Sequence, residues 1–215
     1  MIVAISLIRR RADLTSEAFR RHWLDPHGVL TATLPGTRSY VQGHVIDHPA
    51  MNAAARRAGI DGFAVLGFDS IADRALAYAS PVIRACNIDS EQFIGAVRRL
   101  VTEPRIVLAP PAGGAARKIY LLGFGDPAGM DAWARAVEAA VPDLPGARGL
   151  VCHAVLSQHA PPESRIPDLG LTVAGFAEIW LADDATLGAG AAALGAAGVE
   201  GVETAVFVAE DHRLI

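Results

Sequence analysis

Cysteine is scarce in this chain. The 215 residues hold two, Cys86 and Cys152, far apart and in no CxxC or other metal-type spacing. That argues against a disulfide framework and a cysteine-based zinc or redox motif, and predicts two buried thiols. Long apolar runs are also lacking, and none reaches the roughly 18 residues of a membrane span. The apolar opening MIVAISLI precedes its arginines, the reverse of the order in a secretory leader. It predicts a first β-strand and a cytoplasmic protein. The Gly-rich stretches PPAGGA and LGAGAAALGAAG lack the spacing and the lysine of a phosphate-binding loop, and read as a linker and a small-residue helix. No strongly basic stripe is present, so no nucleic-acid partner is expected.

What is there describes an ordered globular protein, 52 % hydrophobic and 20 % charged. The net charge of −4 is unevenly spread, +3 over residues 1–110 and −7 over residues 111–215. This fits two modules, or complementary faces between them.

Taken in order, residues 2–9 read as a strand buried on both faces and residues 15–33 as a helix ended by Leu34-Pro35-Gly36. Residues 38–46 read as a second strand, 47–61 as a long connection and 62–70 as a third strand. Ile71–Ala79 reads as a helix stopped by Pro81, and Asp89–Val101 as an extra amphipathic helix. Arg105–Ala109 then forms a fourth strand, and PPAGGA the linker. The same order returns as strand 118–124, helix 127–141, turn and strand 144–156, strand 171–181, helix 183–197 and strand 202–208.

The return can be checked by residue. At an offset of 110, Trp23 falls on Trp133, Leu34-Pro35-Gly36 on Leu144-Pro145-Gly146, Arg38 on Arg148 and Val41 on Val151; at 113, Gly62-Phe63-Ala64 falls on Gly175-Phe176-Ala177. This is an internal repeat. The expected fold is α+β: two ferredoxin-like β-α-β-β-α-β modules in tandem, 1–110 and 117–215. Each has an antiparallel sheet with one apolar face left open. Packing these faces together yields a pseudo-dimeric barrel within one chain, or pairing between chains in a homo-oligomer.

The chemistry concentrates between Leu14 and Gln42. Phe19, Trp23, Leu30 and Leu34 fall within about 60° of one another at about 100° per residue, a buried helical stripe. His27 lies at the edge of this stripe, beside Pro26, which loosens the helix because it has no N–H to donate. An imidazole so placed can exchange a proton at neutral pH, and burial favours its neutral, basic form. The plainer reading is a core histidine bonded to backbone. Four histidines within 27 residues (22, 27, 44 and 48) raise the question of a metal. His22 and His27, five apart, diverge by about 140° on a helix, so no metal site is expected.

The run Phe19, His22-Trp23, His27, Leu30, Leu34-Pro35-Gly36 and Tyr40-Val41, followed by Asp61-Gly62 opening a strand, resembles the EthD family of dimeric α+β barrel proteins. Similar proteins include muconolactone methylisomerase, fungal polyketide dehydratases and relatives of polyketide cyclases; others are known only from ether-degradation gene clusters. The resemblance implies a small pocket between sheet and helices and chemistry without metal or organic cofactor. Polar pocket roles fall to His27, then to His22 and Tyr40. The family commonly carries an acid after the Gly-x-Ala opening of the third strand. Here that position is Val65, while the second half has Glu178, which reads as a structural, paired carboxylate.

At an offset of 110, His27 falls on Val137, His22 on Ala132 and Tyr40 on Leu150. Fold maintenance alone therefore does not require the three polar groups, and one active pocket is expected, in the first module. The expected catalytic residues are His27, with Tyr40 donating to a developing oxyanion and His22 assisting. Trp23, His44 and Phe19 are expected to bind substrate. Asp25 reads as a solvated turn residue rather than a partner of a histidine. The leading function is a cofactor-independent lyase or isomerase, of dehydratase or cyclase type, on a small carbonyl or polyketide-like compound. A non-catalytic small-molecule-binding protein of a degradation pathway is the alternative. A cofactor-free monooxygenase is a third, allowed by related barrels.

Overall fold

The computed structural model describes residues 1–112, 117–159, 165–196 and 199–215. Its strands are β1 (Ile2–Arg10), β2 (Thr37–Val45), β3 (Gly62–Phe68), β4 (Ile94–Leu108), β5 (Arg117–Gly125), β6 (Ala147–His159), β7 (Val173–Leu181) and β8 (Val202–Arg213). The helices are α1 (Ser16–His22), α2 (Val29–Thr31), α3 (Ala53–Ala58), α4 (Ile71–Tyr78), α5 (Pro81–Ser90), α6 (Met130–Ala140) and α7 (Asp184–Gly195). The strands close into one antiparallel barrel in the order β1-β3-β2-β8-β5-β7-β6-β4. Two seams join the halves: β2 to β8, from Val41↔Arg213 to Val45↔Ala209, and β4 to β6, from Arg99↔His159 to Leu108↔Leu150. The open sheet faces thus cover each other inside a single chain. Among the described residues no helix is long and apolar enough to cross a membrane.

Period-two alternation divides each strand between the barrel interior and the helical layer. On β3, Phe63 and Val65 point inward, where Phe63 stacks on Tyr120 at 4.5 Å, while Ala64 and Leu66 face the helices. The interior is not wholly apolar. Lys118, the only lysine of the chain, bridges Glu178 and Asp211, at 2.7 Å from the latter. His153 Nε2 meets Glu178 at 3.0 Å, and the Tyr120 hydroxyl donates to Asp211 at 2.7 Å. Burial pushes the Glu178 carboxyl up, but Lys118 and His153 outweigh it and hold it at about 2. Glu178 is thus a paired carboxylate inside the barrel. Its counterpart Val65 also faces inward, away from the helices.

The repeated residues have a shared packing reason. A Cβ on Gly62 would lie 2.2 Å from the Trp23 ring, and one on Gly175 would lie 2.2 Å from the Trp133 ring. Each tryptophan anchors its helix by lying flat on a strand glycine, so the two residue types recur together. Gly36 and Gly146 hold φ of +74° and +75°, the left-handed conformation that the Leu-Pro-Gly turns need.

Three local expectations are corrected. The single helix over 15–33 is instead broken, with α1 and α2 joined by a kinked segment over 23–28 in which Asp25, preceding Pro26, leaves the helical region at φ −149°, ψ 116°. The connection 47–61 contains α3, capped by Asn52 and ended by Gly59 at φ +60°. The helix expected over 89–101 does not form; only Asp89 and Ser90 are helical, as the end of α5. Pro81 occupies the first turn of α5 with Ser80 as its cap, so it starts a helix instead of merely ending one. That helix ends at Ser90, and β4 begins at Ile94. The charges at Arg98 and Arg99 make an alternating strand look helically amphipathic. β8 also runs past its expected end, to Arg213, which supplies the seam with β2. Cys86 and Cys152 are buried and unbonded. The linker PPAGGA lies partly outside the described residues, as does the last residue of the helix expected over 183–197.

Candidate active site

A narrow cavity of about 50 Å³ lies between the outer face of the first-half strands and the helices over it. Its floor is Ser6, Tyr40, Ala64, Leu66 and Arg99; Trp23, His27, Thr31, Cys86 and Asn87 form the helical wall. Ile166, from the segment between β6 and β7, also borders it. That segment is pinned to β4 by Val97 N–H donating to Pro167 O at 3.0 Å and Leu169 N–H to Val97 O at 3.2 Å. The pocket therefore includes a residue of the second half, where the sequence placed it in the first alone.

Thr15 caps α1 by accepting the N–H of Ala18 at 3.1 Å. The helix then breaks at Asp25, within the kinked segment Trp23–Gly28. The regular turn of about 100° per residue therefore does not carry across from His22 to His27, and the divergence of about 140° expected of an unbroken helix does not apply. His22 and His27 consequently converge, on a carboxylate: His22 Nε2 lies 3.0 Å from Asp89 Oδ1 and His27 Nδ1 lies 2.8 Å from Asp89 Oδ2. Asp89 stands near the end of α5, 62 residues from His27 in sequence. The buried Phe93 ring supports both imidazoles, at 5.0 Å from His22 and 4.9 Å, edge-on, from His27. With both oxygens of Asp89 occupied by imidazoles, His27 is left with Nε2 for a molecule in the cavity. Burial lowers the His27 pKa, against a smaller upward pull from Asp89, so the ring is neutral at pH 7. The donor to Asp89 is then Nδ1–H, and Nε2 carries the lone pair.

Tyr40 is fully buried, and its hydroxyl accepts from Gln42 Nε2 at 2.8 Å. Burial raises its pKa well above the ordinary tyrosine value, which keeps the O–H as a donor. The Trp23 indole N–H is buried and meets no hydrogen-bond acceptor among the described residues; its counterpart in Trp133 donates to Thr204 Oγ1 at 3.0 Å.

Two expected substrate-binding residues do not reach the cavity wall. His44 lies behind Trp23, stacked on its ring at 4.6 Å and 8°, with Nε2–H donating to Gln42 Oε1 at 2.9 Å. Burial, with help from His212 and Arg20, pushes its pKa down to about 3. Phe19 packs on Trp23 from the core side at 5.3 Å. His48, four residues past His44, lies in a loop and accepts the N–H of Ala50 at 3.1 Å. Asp25 is exposed. Among the described residues no three His, Cys, Asp or Glu side chains are disposed to hold a metal ion.

Sequence reasoning missed Asp89 and Arg99. Both lay within the stretch read as a helix over 89–101, where a strand-period reading beginning at Ile94 would have put Arg99 on the face of Val97 and Val101.

Residues 11–96 match the EthD domain. Solved structures share the whole barrel at low identity. An anthrone oxidase-like protein superposes with a TM-score of 0.63 at 12 % identity, covering 99 % of this chain and 93 % of its own. A candidate monooxygenase of Lactobacillus acidophilus gives 0.53 at 11 %, covering 100 % and 94 %. A mutant chlorite dismutase of Candidatus Nitrospira defluvii gives 0.51 at 9 %, covering 97 % and 91 %. At these identities the likeness is one of fold. A comparison with curated protein sequences finds no match.

Proposed function

From the match of residues 11–96 to the EthD domain, we propose that this chain is a proton-transfer catalyst acting on a small carbonyl compound as an isomerase or dehydratase. The supporting observation is the His27–Asp89 pair at 2.8 Å, which leaves Nε2 of a buried, neutral imidazole beside a small, partly open cavity. Nε2 takes a proton from the carbon next to the carbonyl, and the electron pair moves to the carbonyl oxygen. The Tyr40 hydroxyl on the cavity floor is the donor for that enolate oxygen. The imidazolium, stabilised by Asp89, then returns the proton to another carbon, or to a β-hydroxyl that departs as water. His22 steadies Asp89. The cavity has room for only a few waters, which favours a compact substrate over a polyketide. In this reading residues 1–110 form the site-bearing module, and residues 117–215 complete the barrel and supply Ile166.

The test is deuterium exchange into the α-position of small ketones and aldehydes, followed by NMR. His27→Gln should slow exchange by about 10²–10⁴-fold, the usual worth of a positioned base. The wild-type rate should rise as pH climbs through a pKa below 6.5 and level off by neutrality. Exchange unchanged in His27→Gln would dismiss the proposal, and ligand binding without exchange would make the chain a carrier.

A further inference from the structure

Arg99 is the feature of this cavity that proton transfer alone does not require. It sits on the outer face of β4, opposite Ser6 of β1, in the floor shared with Tyr40. Its hydrogen bond goes to a neutral group, Asn87 Oδ1 at 3.0 Å. The carboxylates nearby are committed elsewhere: Asp89 to its two histidines, and Asp168 to Arg98 at 3.0 Å. Other positive charge gathers at the same end. Tyr78, which lines the cavity, carries Arg74 over its ring at 4.2 Å and Arg99 at 5.5 Å. Arg74 Nε is a buried donor that meets no acceptor among the described residues. The effect reaches neighbouring groups. His159 is pushed down by burial and then by Arg74, Arg99 and Arg98, and Arg99 also acts on His27 and Cys86. A guanidinium that meets no carboxylate among the described residues, at the edge of a small cavity and reinforced by a second, is a receptor for a planar anion.

We propose that the site takes a carbonyl compound bearing a carboxylate, such as a short 2-oxo acid, with the carboxylate on Arg99 and the reacting carbon toward His27 Nε2. The inference rests on the proton-transfer reading for its orientation but not for the binding itself. In the bound state two parallel N–H donors of Arg99 pair with the two carboxylate oxygens. Asn87 keeps the fork in its plane, and Tyr78 supports its face.

The experiment compares pyruvate with pyruvamide, its uncharged analogue of equal size. Binding is read from the Trp23 indole N–H signal, and turnover from methyl deuterium exchange. Pyruvate should bind at least tenfold more tightly, and added salt should narrow the ratio. Arg99→Gln should bring the two ligands to equal affinity, and Arg99→Lys should recover part of the preference, which a folding defect would not. His27→Gln should keep pyruvate binding and lose exchange. Equal affinities in the wild type, or a preference that survives Arg99→Gln, would overturn the carboxylate assignment whatever the exchange data say. Arg99-dependent pyruvate binding without exchange would support it while removing the catalytic reading.

Discussion

Alanine at Gly62 or Gly175 tests the contact that the two halves share. At Gly62 the new Cβ would lie 2.2 and 2.6 Å from two Trp23 ring carbons; at Gly175 it would lie 2.2 and 2.5 Å from two of Trp133. Carbon atoms settle at about 3.5–4.0 Å, so each ring must retreat by more than about 1 Å. Both rings are buried. Overpacking of this kind costs about 1–3 kcal/mol. The tethers differ, however. Trp133 is held by its bond to Thr204, whereas Trp23 lacks such a bond and borders the cavity. Gly175→Ala should therefore cost about 3 kcal/mol, a drop in Tm of roughly 6–12 °C for a chain of this size. Gly62→Ala should cost about 1–2 kcal/mol, with Trp23 yielding into the cavity and ligand binding lost. Urea unfolding followed by tryptophan fluorescence measures both. Trp133→Phe in the Gly175→Ala background should recover about 1 kcal/mol or more relative to additivity. Gly188→Ala, where a Cβ meets nothing within 4 Å, is the control and should stabilise α7 by about 0.5–1 kcal/mol. A Gly175→Ala protein as stable as this control would refute the tryptophan-on-glycine account of the repeat.

Two further outcomes follow from the site. Asp89→Asn replaces two acceptors by one acceptor and one donor, so the two histidines can no longer both donate. The loss should be about 2–4 kcal/mol, the partly exposed His22 bond contributing least; nitrogen NMR of His27 should show its Nδ1–H tautomer depleted, and an unchanged tautomer would contradict the assignment. Acid should destabilise the fold well above the carboxylate range. His44 binds a proton near 6.5 when unfolded and only at about 3 when folded, so stability is intact above pH 6.5 and falls as pH drops toward 3. The slope from this residue is about 1.4 kcal/mol per pH unit. His44→Phe, which keeps a ring against Trp23, should flatten the stability profile between pH 6.5 and 5 by about one proton, and an unaltered slope would count against a neutral buried His44.

Much of this protein was legible along the chain. Strand order, the paired tryptophans and glycines, and the buried His27 all follow from local pattern, because period and side-chain volume act between near neighbours. The halves also showed where polarity is extra: the positions of His27 and Tyr40 are filled in the second half by Val137 and Leu150, both fully buried. Tertiary structure decided the rest. The kink at Asp25 depends on how Pro26 is accommodated, and it brought together two histidines that a regular helix would separate. Asp89 reached them from a helix whose start, Pro81, reads equally well as a stop. Whether the open sheet faces met within one chain was settled by the long β8 and β4 strands forming both seams, pairings between residues far apart in sequence. Local composition dictates which elements form, but backbone hydrogen bonds between distant strands and the direction of a side chain after a distorted turn are set only when the chain closes on itself.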